Sequence, residues 1–434
     1  MRKILLIAFT IVVTSLYFFP FNIIQIPGSN TKMILAAIGL FLFFIDKARS
    51  TKFTISKEFL ILSIIAAFVS LAGQFTMAYN HTKDNFMAEY IISLWVWMGG
   101  AYAVLKLIKL VHGKADIQII GNYLVSVCTI QCAIAYISYI YPPLQEFKES
   151  IIGDVDGYMG ITEGRLSGIG ASLDPAGLRF AAVLIILTYI ALKRKEHNFW
   201  TIIFYFGSFA IIGVIGNMMS RTTSVGILLS LILLAYHLKG IKSIYKKLVL
   251  SSSLTLIVIA FVLVISYLYK TDAQFHRQFR FGFELFFNLS EKGRLETNSS
   301  NFLLEKMIVW PESLKTWLIG DGFALNQNSN LDYFGKRGFG FYMSTDIGYL
   351  RYIYYFGLIG LTLITALFVY ATAILSRYFR KAKIMFLLLL VMNLIGWLKV
   401  SSDIIMVFCP FLVLMFRLQS KEEDETNLLH SVGV

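Results

Sequence analysis

Charged residues are scarce in this chain: Asp, Glu, Lys and Arg make up 15% of its 434 residues, against about 25% in soluble domains. Hydrophobic residues make up 57%. Apolar runs recur from end to end, and most are close to the roughly 20 residues that a helix needs to cross a bilayer. The composition therefore excludes a soluble globular protein and predicts an all-α polytopic membrane protein.

Cysteine is also rare. The three cysteines, Cys128, Cys132 and Cys409, all lie inside apolar runs, where a cysteine behaves as a small buried hydrophobe. This placement implies neither a disulfide framework nor a cysteine-ligated metal site. We expect no metal ion and no cofactor.

The apolar runs predict twelve membrane spans, at residues 4–20, 32–46, 58–78, 89–111, 117–141, 174–192, 199–217, 220–238, 248–269, 346–375, 383–399 and 401–417. An even number of spans puts both termini on one side, and most of the 39 Lys and Arg residues fall on that side. The positive-inside rule identifies it as the cytoplasm. Contact with anionic lipid accounts for the net charge of +13, so no nucleic-acid partner is needed.

The spans divide the chain into six predicted segments. These are a five-helix segment 1–141, an outer loop 142–173, a four-helix segment 174–269, a large outer loop 270–345, a three-helix segment 346–417 and an acidic cytoplasmic tail 418–434. The first run has no small-residue cleavage site after it, so we expect a retained helix rather than a signal peptide. In the large loop, SSNFLLEKMIVW predicts a helix from Ser299 or Ser300 to near Pro311, and the loop's many aromatic residues predict a folded cap.

The stretch GRLSGIGASLDPAGLR, residues 164–179, leads into the sixth span. Asp174 is predicted as the N-cap of that helix and Pro175 as a first-turn residue. Arg179 then lies near the outer end of the span. An ionisable residue in a membrane segment indicates a functional site, although a long side chain that reaches back to the headgroups would also explain it.

A second arginine lies in the tight hairpin GNMMSRTTS between the seventh and eighth spans. Arg221 is there surrounded by the hydroxyl groups of Ser220, Thr222, Thr223 and Ser224. Because the positive-inside rule disfavours an arginine at an outer hairpin, we interpret Arg221 as a ligand-binding residue.

The end of the large loop contributes Arg337, and Asp346 and Arg351 follow at the start of the tenth span. An interfacial anchor in a tyrosine-rich belt is the alternative reading of Arg351. Arginines that converge at an outer membrane interface suit a phosphate-bearing lipid headgroup, because a guanidinium stays charged and binds phosphate oxygens in a bidentate way. A pyrophosphate leaving group needs such stabilisation most, since negative charge builds on it as a glycosidic bond breaks.

Four short motifs and the twelve-span layout resemble the O-antigen polymerase and O-antigen ligase family. The motifs are Arg165, Gly168, Pro175 and Gly177 before the sixth span, Ser220-Arg221, Gly320-Asp321-Gly322-Phe323 in the large loop, and Asp346-x-Gly348-Tyr349-Leu350 with Gly357-Leu358-Ile359-Gly360. The resemblance covers most of the chain. It implies a membrane-embedded, GT-C type glycosyltransferase that is inverting and independent of metal.

Such an enzyme transfers an oligosaccharide from undecaprenyl pyrophosphate at the periplasmic face of the bacterial inner membrane, in O-antigen or capsule synthesis. The implied partners are the lipid-linked oligosaccharide, membrane lipids and a chain-length regulator protein. We expect Arg165, Arg179, Arg221, Arg337 and Arg351 to bind the pyrophosphate groups.

Ligases have a catalytic histidine just before the tenth-span region, where this chain has Ser344-Thr345-Asp346. The departure favours a polymerase, which uses a second lipid-linked repeat unit as acceptor, over a ligase, which uses lipid A–core. It leaves the general base open: Asp346 is the first candidate, followed by Glu163 and Asp174.

A lipid-linked oligosaccharide flippase or another transporter is the alternative from a different class, since twelve spans are common among transporters. A membrane scaffold is a further alternative. The two halves of the chain show no similarity, however, and the sequence has no relay of charges at the bilayer midplane. The same lack of pore-lining charge disfavours a channel.

Overall fold

The computed structural model describes residues 1–24, 29–49, 55–152, 165–194, 198–240, 262–294, 296–326 and 340–431, with only the backbone described at 240, 298 and 420–431. Within these ranges the fold is helical. Strand pairing there is limited to isolated bridges, such as the one between Leu325 and Phe341. The predicted all-helical class is therefore confirmed.

Seventeen α-helices occur in the described ranges. They are α1 (Arg2–Phe18), α2 (Thr31–Ala48), α3 (Lys57–Asn80), α4 (Tyr90–His112), α5 (Ile117–Ile140), α6 (Pro142–Ile151), α7 (Leu173–Lys193), α8 (Phe199–Met219), α9 (Thr223–Gly240), α10 (Val262–Thr271), α11 (Ala273–Gly282), α12 (Glu284–Lys292), α13 (Asn298–Phe302), α14 (Leu314–Leu318), α15 (Gly348–Tyr378), α16 (Lys383–Gly396) and α17 (Ile405–Ser431).

Six of these helices, α3, α4, α5, α7, α8 and α15, are long and apolar enough to cross a bilayer. The chain is thus a multi-pass helical membrane protein. Five further predicted spans correspond to α1, α2, α9, α16 and α17. Most of the predicted span 248–269 lies outside the described residues, and α10 covers its end.

Local side-chain chemistry explains several helix starts. Ser56 accepts a hydrogen bond from Phe59 N at the start of α3, and Asn198 accepts one from Thr201 N at the start of α8. Such N-caps satisfy backbone N–H groups that have no partner inside the helix. The helix predicted at Ser299 or Ser300 begins at Asn298 and continues as a π-helical turn, Leu303–Met307.

The chain forms two compact units. The first unit comprises Met1–Thr31 and Ile117–Thr297, and the second comprises Lys32–Asp116 and Asn298–Val434. Helix α7 lies in the core of the first unit, since every side chain from Ala181 to Ile186 is fully buried. A Cβ on Gly226 of α9 would lie 2.3 Å from Ala181 Cα, so this glycine lets α9 approach α7 closely.

Helix α15 dominates the second unit and is kinked at Phe356 and Gly357, whose backbone angles are not helical. Gly357 has a φ of +68°, and a Cβ there would lie 2.1 Å from the carbonyl oxygen of Leu318. The part after the kink, residues 358–378, is about 30 Å long at 1.5 Å per residue, which equals the thickness of a hydrocarbon core. The part before the kink, which carries Arg351, is therefore additional to a full membrane crossing.

Candidate functional site

In the first unit, Asp174 joins the start of α7 to the connection between α8 and α9. Its Oδ1 accepts hydrogen bonds from Ser220 Oγ at 2.7 Å and from Thr222 Oγ1 at 3.0 Å. Asp174 is not the N-cap as predicted, because α7 begins at Leu173 and Ser172 occupies the cap position. The carboxylate thus binds hydroxyl groups of a neighbouring connection.

A glycine permits this approach. A Cβ at Gly177, one turn into α7, would lie 2.4 Å from Ser220 Oγ, a distance that real Cβ atoms do not tolerate. The sequence predicted a tight connection between the two spans, and α8 and α9 are indeed separated by three residues only, 220–222. The short connection and Gly177 together fix the position of Arg221.

Arg221 has three contacts that hold its guanidinium. Its Nη2 lies 2.5 Å from Glu284 Oε2, its Nε donates to the carbonyl oxygen of Phe281 at 3.0 Å, and its guanidinium lies 4.6 Å from the centre of the Phe281 ring. Arg165 lies over the same ring at 5.8 Å. The structure thus brings Arg165 and Arg221 together on one aromatic ring, as a cation–π pair of contacts.

The other predicted arginine of this unit, Arg179, contacts a different ring. The guanidinium of Arg179 is 5.4 Å from the centre of the Phe19 ring, at the end of α1. Arg179 is half-buried. Of the predicted set Arg165, Arg179 and Arg221, the structure thus brings Arg165 and Arg221 to one ring and Arg179 to another.

In the second unit, Arg351 lies in the first turns of α15 and is only 8% exposed. Its guanidinium is 3.6 Å from the centre of the Phe341 ring and 5.6 Å from that of Phe86. Its Nη2 donates a long hydrogen bond of 3.4 Å to the carbonyl oxygen of Ala324. In the part of the chain that the structure describes, its buried Nε has no hydrogen-bond partner and no carboxylate lies within 4.0 Å.

Two carboxylates act on Arg351 from a longer range, those of Asp84 and Asp346. Asp84 is engaged by backbone groups, because its Oδ2 accepts from Ala324 N at 2.8 Å. Asp346 is half-buried and follows two residues, Met343 and Ser344, with φ of +56° and +57°. Non-glycine residues with a positive φ have a strained backbone, and such strain is concentrated at functional sites.

The motif Gly320-Asp321-Gly322-Phe323 supports the start of α15 from one side. Backbone N–H groups of Asp321 and Gly322 donate to the carbonyl oxygens of Tyr354 and Tyr355, at 2.6 and 3.0 Å. The Asp321 carboxylate accepts from Lys315 and from Thr316, each at 2.8 Å. Asp321 is thus held by its own turn, and its role is to brace the helix that carries Arg351.

Glu163 and Arg337 lie outside the described residues. Sequence reasoning missed Glu284 and Asp84. Glu284 follows three residues after Phe281 in an aromatic-rich segment, and Asp84 lies in a short connection between two spans. Neither residue is a sequence neighbour of the arginine it acts on, so only the tertiary structure identifies these partners.

Among the described residues, no group of three His, Cys, Asp or Glu side chains could hold a metal ion. Both places have guanidinium groups over aromatic rings, which suits the binding of an anion: Arg165 and Arg221 lie over Phe281, and Arg351 lies over Phe341 and Phe86. Comparisons with protein families, with curated proteins and with solved structures gave no match.

Proposed function

We propose that this chain polymerises a surface polysaccharide, O-antigen or capsule, by joining undecaprenyl-pyrophosphate-linked repeat units at the periplasmic face of the bacterial inner membrane. The proposal includes twelve spans, cytoplasmic termini and a GT-C type fold. The observation that carries it is Arg351, a residue that is 8% exposed and whose buried Nε has no hydrogen-bond partner in the described residues.

A buried cation of this kind is costly for the protein on its own. Removing a charge from water costs several kcal/mol unless an opposite charge and hydrogen bonds replace the water. Arg351 has two rings and one long hydrogen bond instead. An anionic ligand would supply the missing partners, and a phosphate matches the fork of a guanidinium. A lipid pyrophosphate brings that anion to the start of a membrane helix.

In the proposed reaction the acceptor hydroxyl attacks the anomeric carbon of the donor sugar from the face opposite to the pyrophosphate. The new C–O bond forms as the bond to pyrophosphate breaks, and undecaprenyl pyrophosphate leaves with the electron pair. Arg351 stabilises the charge that develops on this leaving group. The proton of the hydroxyl passes to Asp346, the general base.

The cluster of the first unit is assigned a binding role. Arg165 and Arg221 share the Phe281 ring and suit a second phosphate group. Asp174 accepts hydrogen bonds from two hydroxyls, and these bonds fix the orientation of its carboxylate. Asp174 is therefore better suited to positioning than to proton transfer, so Asp346 remains the preferred base.

The main test is chain extension by purified protein in detergent, supplied with lipid-linked repeat unit. Extension without a membrane gradient is expected for a polymerase and impossible for a flippase or transporter. Lipid A–core as the only productive acceptor would instead indicate a ligase. Folded protein that binds the lipid-linked repeat unit but neither extends it nor transfers it to another acceptor would contradict the enzyme proposal.

Asp346→Asn tests the base. We expect binding of the lipid-linked repeat unit to persist while extension falls strongly, because the amide cannot accept the proton. Asp84→Asn is the matched control, since Asp84 also acts on Arg351 from a distance but accepts backbone hydrogen bonds. Equal extension by wild type and Asp346→Asn would remove Asp346 as the base.

A further inference from the structure

Residues 302–318 of the second unit have both packed and exposed apolar side chains. Leu303, Met307 and Val309 pack against the buried cluster of Ile347, Leu350 and Tyr354 at the start of α15. Six other apolar residues of the segment are exposed, and we call them the outward face: Phe302, Leu304, Ile308, Trp310, Leu314 and Leu318.

The outward face is unusual for a segment outside the six candidate spans. Leu314 is 73% exposed, Leu304 63% and Trp310 61%. Apolar surface on this scale marks an interaction site in soluble proteins. The Trp310 ring stacks on Trp317 at 6.0 Å, so a large aromatic side chain is held in an exposed position rather than folded into the core.

One end of the outward face adjoins a spanning helix. Leu318 contacts the kink of α15, since its carbonyl oxygen lies where a Cβ of Gly357 would be. The next two residues of α15, Leu358 and Ile359, are exposed. Exposed apolar side chains of a spanning helix face acyl chains, so Leu318 lies at the edge of that same surface.

Charged residues border the outward face. Glu305, Lys306 and Glu312 are all exposed in the same segment. A segment that lies in the membrane interface needs this combination, with apolar and tryptophan side chains toward the acyl chains and charged groups toward headgroups and water.

We propose that residues 302–318 lie in the interface of the lipid bilayer, with the outward face inserted at the boundary between headgroups and acyl chains. The bilayer is therefore the partner of this surface. The inward side of the segment packs on the part of α15 that carries Arg351, so the same contact fixes the depth of Arg351 relative to the membrane surface. The inference rests on the membrane class of the chain and is independent of the proposed reaction.

The test uses spin labels on single introduced cysteines in the full chain, reconstituted in phosphatidylethanolamine–phosphatidylglycerol vesicles. The native cysteines are buried and should not react. Leu314→Cys and Leu304→Cys report on the outward face, and Glu312→Cys and Glu305→Cys are their neighbouring exposed controls. Ile359→Cys gives the reference for a lipid-facing position. Power saturation then compares collisions with oxygen, which concentrates in acyl chains, and with a water-soluble nickel chelate.

We expect the oxygen-to-nickel collision ratio at 314 and 304 to be several-fold higher than at 312 and 305, and to approach the ratio at 359. Nickel collisions at 314 equal to those at 312 would show a water-exposed face and overturn the proposal. Protection of 314 and 304 from both reagents would overturn it as well, because a protein or a second copy of the chain would then cover the face. Exposed positions tolerate labelling, and unchanged thermal unfolding of each variant verifies the fold.

Discussion

Arg221 of the first unit and Arg351 of the second unit are held in different ways. In the first unit Arg221 is paired with Glu284 at 2.5 Å, and buried Lys148 donates to Ser167 O and Oγ, both at 2.9 Å. In the second unit Arg351 is buried between two rings, with no described carboxylate within 4.0 Å. A paired cation must exchange a partner before it binds an anion, whereas Arg351 is already desolvated. The partners of an arginine, rather than its position, thus indicate its role.

The largest expected effect comes from Arg351→Met, which removes the unpaired charge and keeps an apolar side chain. We expect chain extension to fall by roughly 10²–10³-fold, as for the loss of one group that stabilises a leaving anion. The midpoint of thermal unfolding should stay the same or rise, because replacing a buried charge with an apolar group is often stabilising. Extension rates and unfolding in detergent are the two measurements.

Arg417→Met is the matched control in the same unit. Arg417 lies over the Tyr102 ring at 5.1 Å and 4.0 Å from the Asp46 carboxylate, so it is a ring-stacked arginine that has an acidic partner. We expect little change in extension and a lower unfolding midpoint. Loss of stability in Arg351→Met equal to that in the control would indicate a structural role for Arg351.

The next largest effect is expected from a substitution in the kink of α15, which orients the part of the helix that carries Arg351. Gly357→Ala should lower the free energy of unfolding by about 3 kcal/mol, since the new Cβ combines a positive φ with a clash against Leu318 O. Chain extension by Gly357→Ala should fall as well. Gly113→Ala is the control, because Gly113 has a φ of +73° and no atom within 4 Å of an added Cβ. We expect it to cost about 1 kcal/mol, and equal costs in the two variants would argue against the close packing at the kink.

A smaller effect is expected at the paired arginine. Arg221→Ala should reduce extension by about tenfold and destabilise the chain by about 1 kcal/mol, since the pair with Glu284 is partly exposed. Arg221→Lys should restore only part of the activity, because a point charge replaces a fork. Glu284→Gln should instead lower the KM for lipid-linked repeat unit, because it frees Arg221 from a competing anion. An unchanged KM in Glu284→Gln would show that Arg221 does not exchange partners.

The smallest effect concerns pH and Lys148. Burial lowers the pKa of Lys148 from 10.5 to about 8 in the folded chain, so the unfolded chain binds this proton more tightly. Between about pH 8 and 10.5 the unfolded state therefore binds more protons at Lys148 than the folded state does. The contribution of Lys148 to the free energy of unfolding must then rise with pH. Unfolding midpoints of wild type relative to Lys148→Met should therefore increase over that range. If the difference in unfolding midpoint between wild type and Lys148→Met did not change with pH, the hydrogen bonds to Ser167 would fully offset the effect of burial on the pKa of Lys148.

Much of the helical layout follows from the sequence because helix formation in a membrane depends on local chemistry. The predicted spans 117–141 and 199–217 agree closely with Ile117–Ile140 and Phe199–Met219. The start of α7 was harder to predict, since Ser172 and Asp174 are both favourable cap residues. Asp174 binds Ser220 and Thr222 instead, and that choice depends on the neighbouring helices.

The sequence by itself determined that the chain is a helical membrane protein, and it singled out Arg165, Arg179, Arg221, Arg337 and Arg351 as candidate ligand-binding residues. Apolar run length, charge distribution and short connections are local properties, so they are readable in order along the chain. Only the tertiary structure decided that Arg221 is paired with Glu284 and that Arg351 lies between Phe86 and Phe341. These partners come from distant segments, and packing selects among them because the energy of a buried charge depends on every group around it.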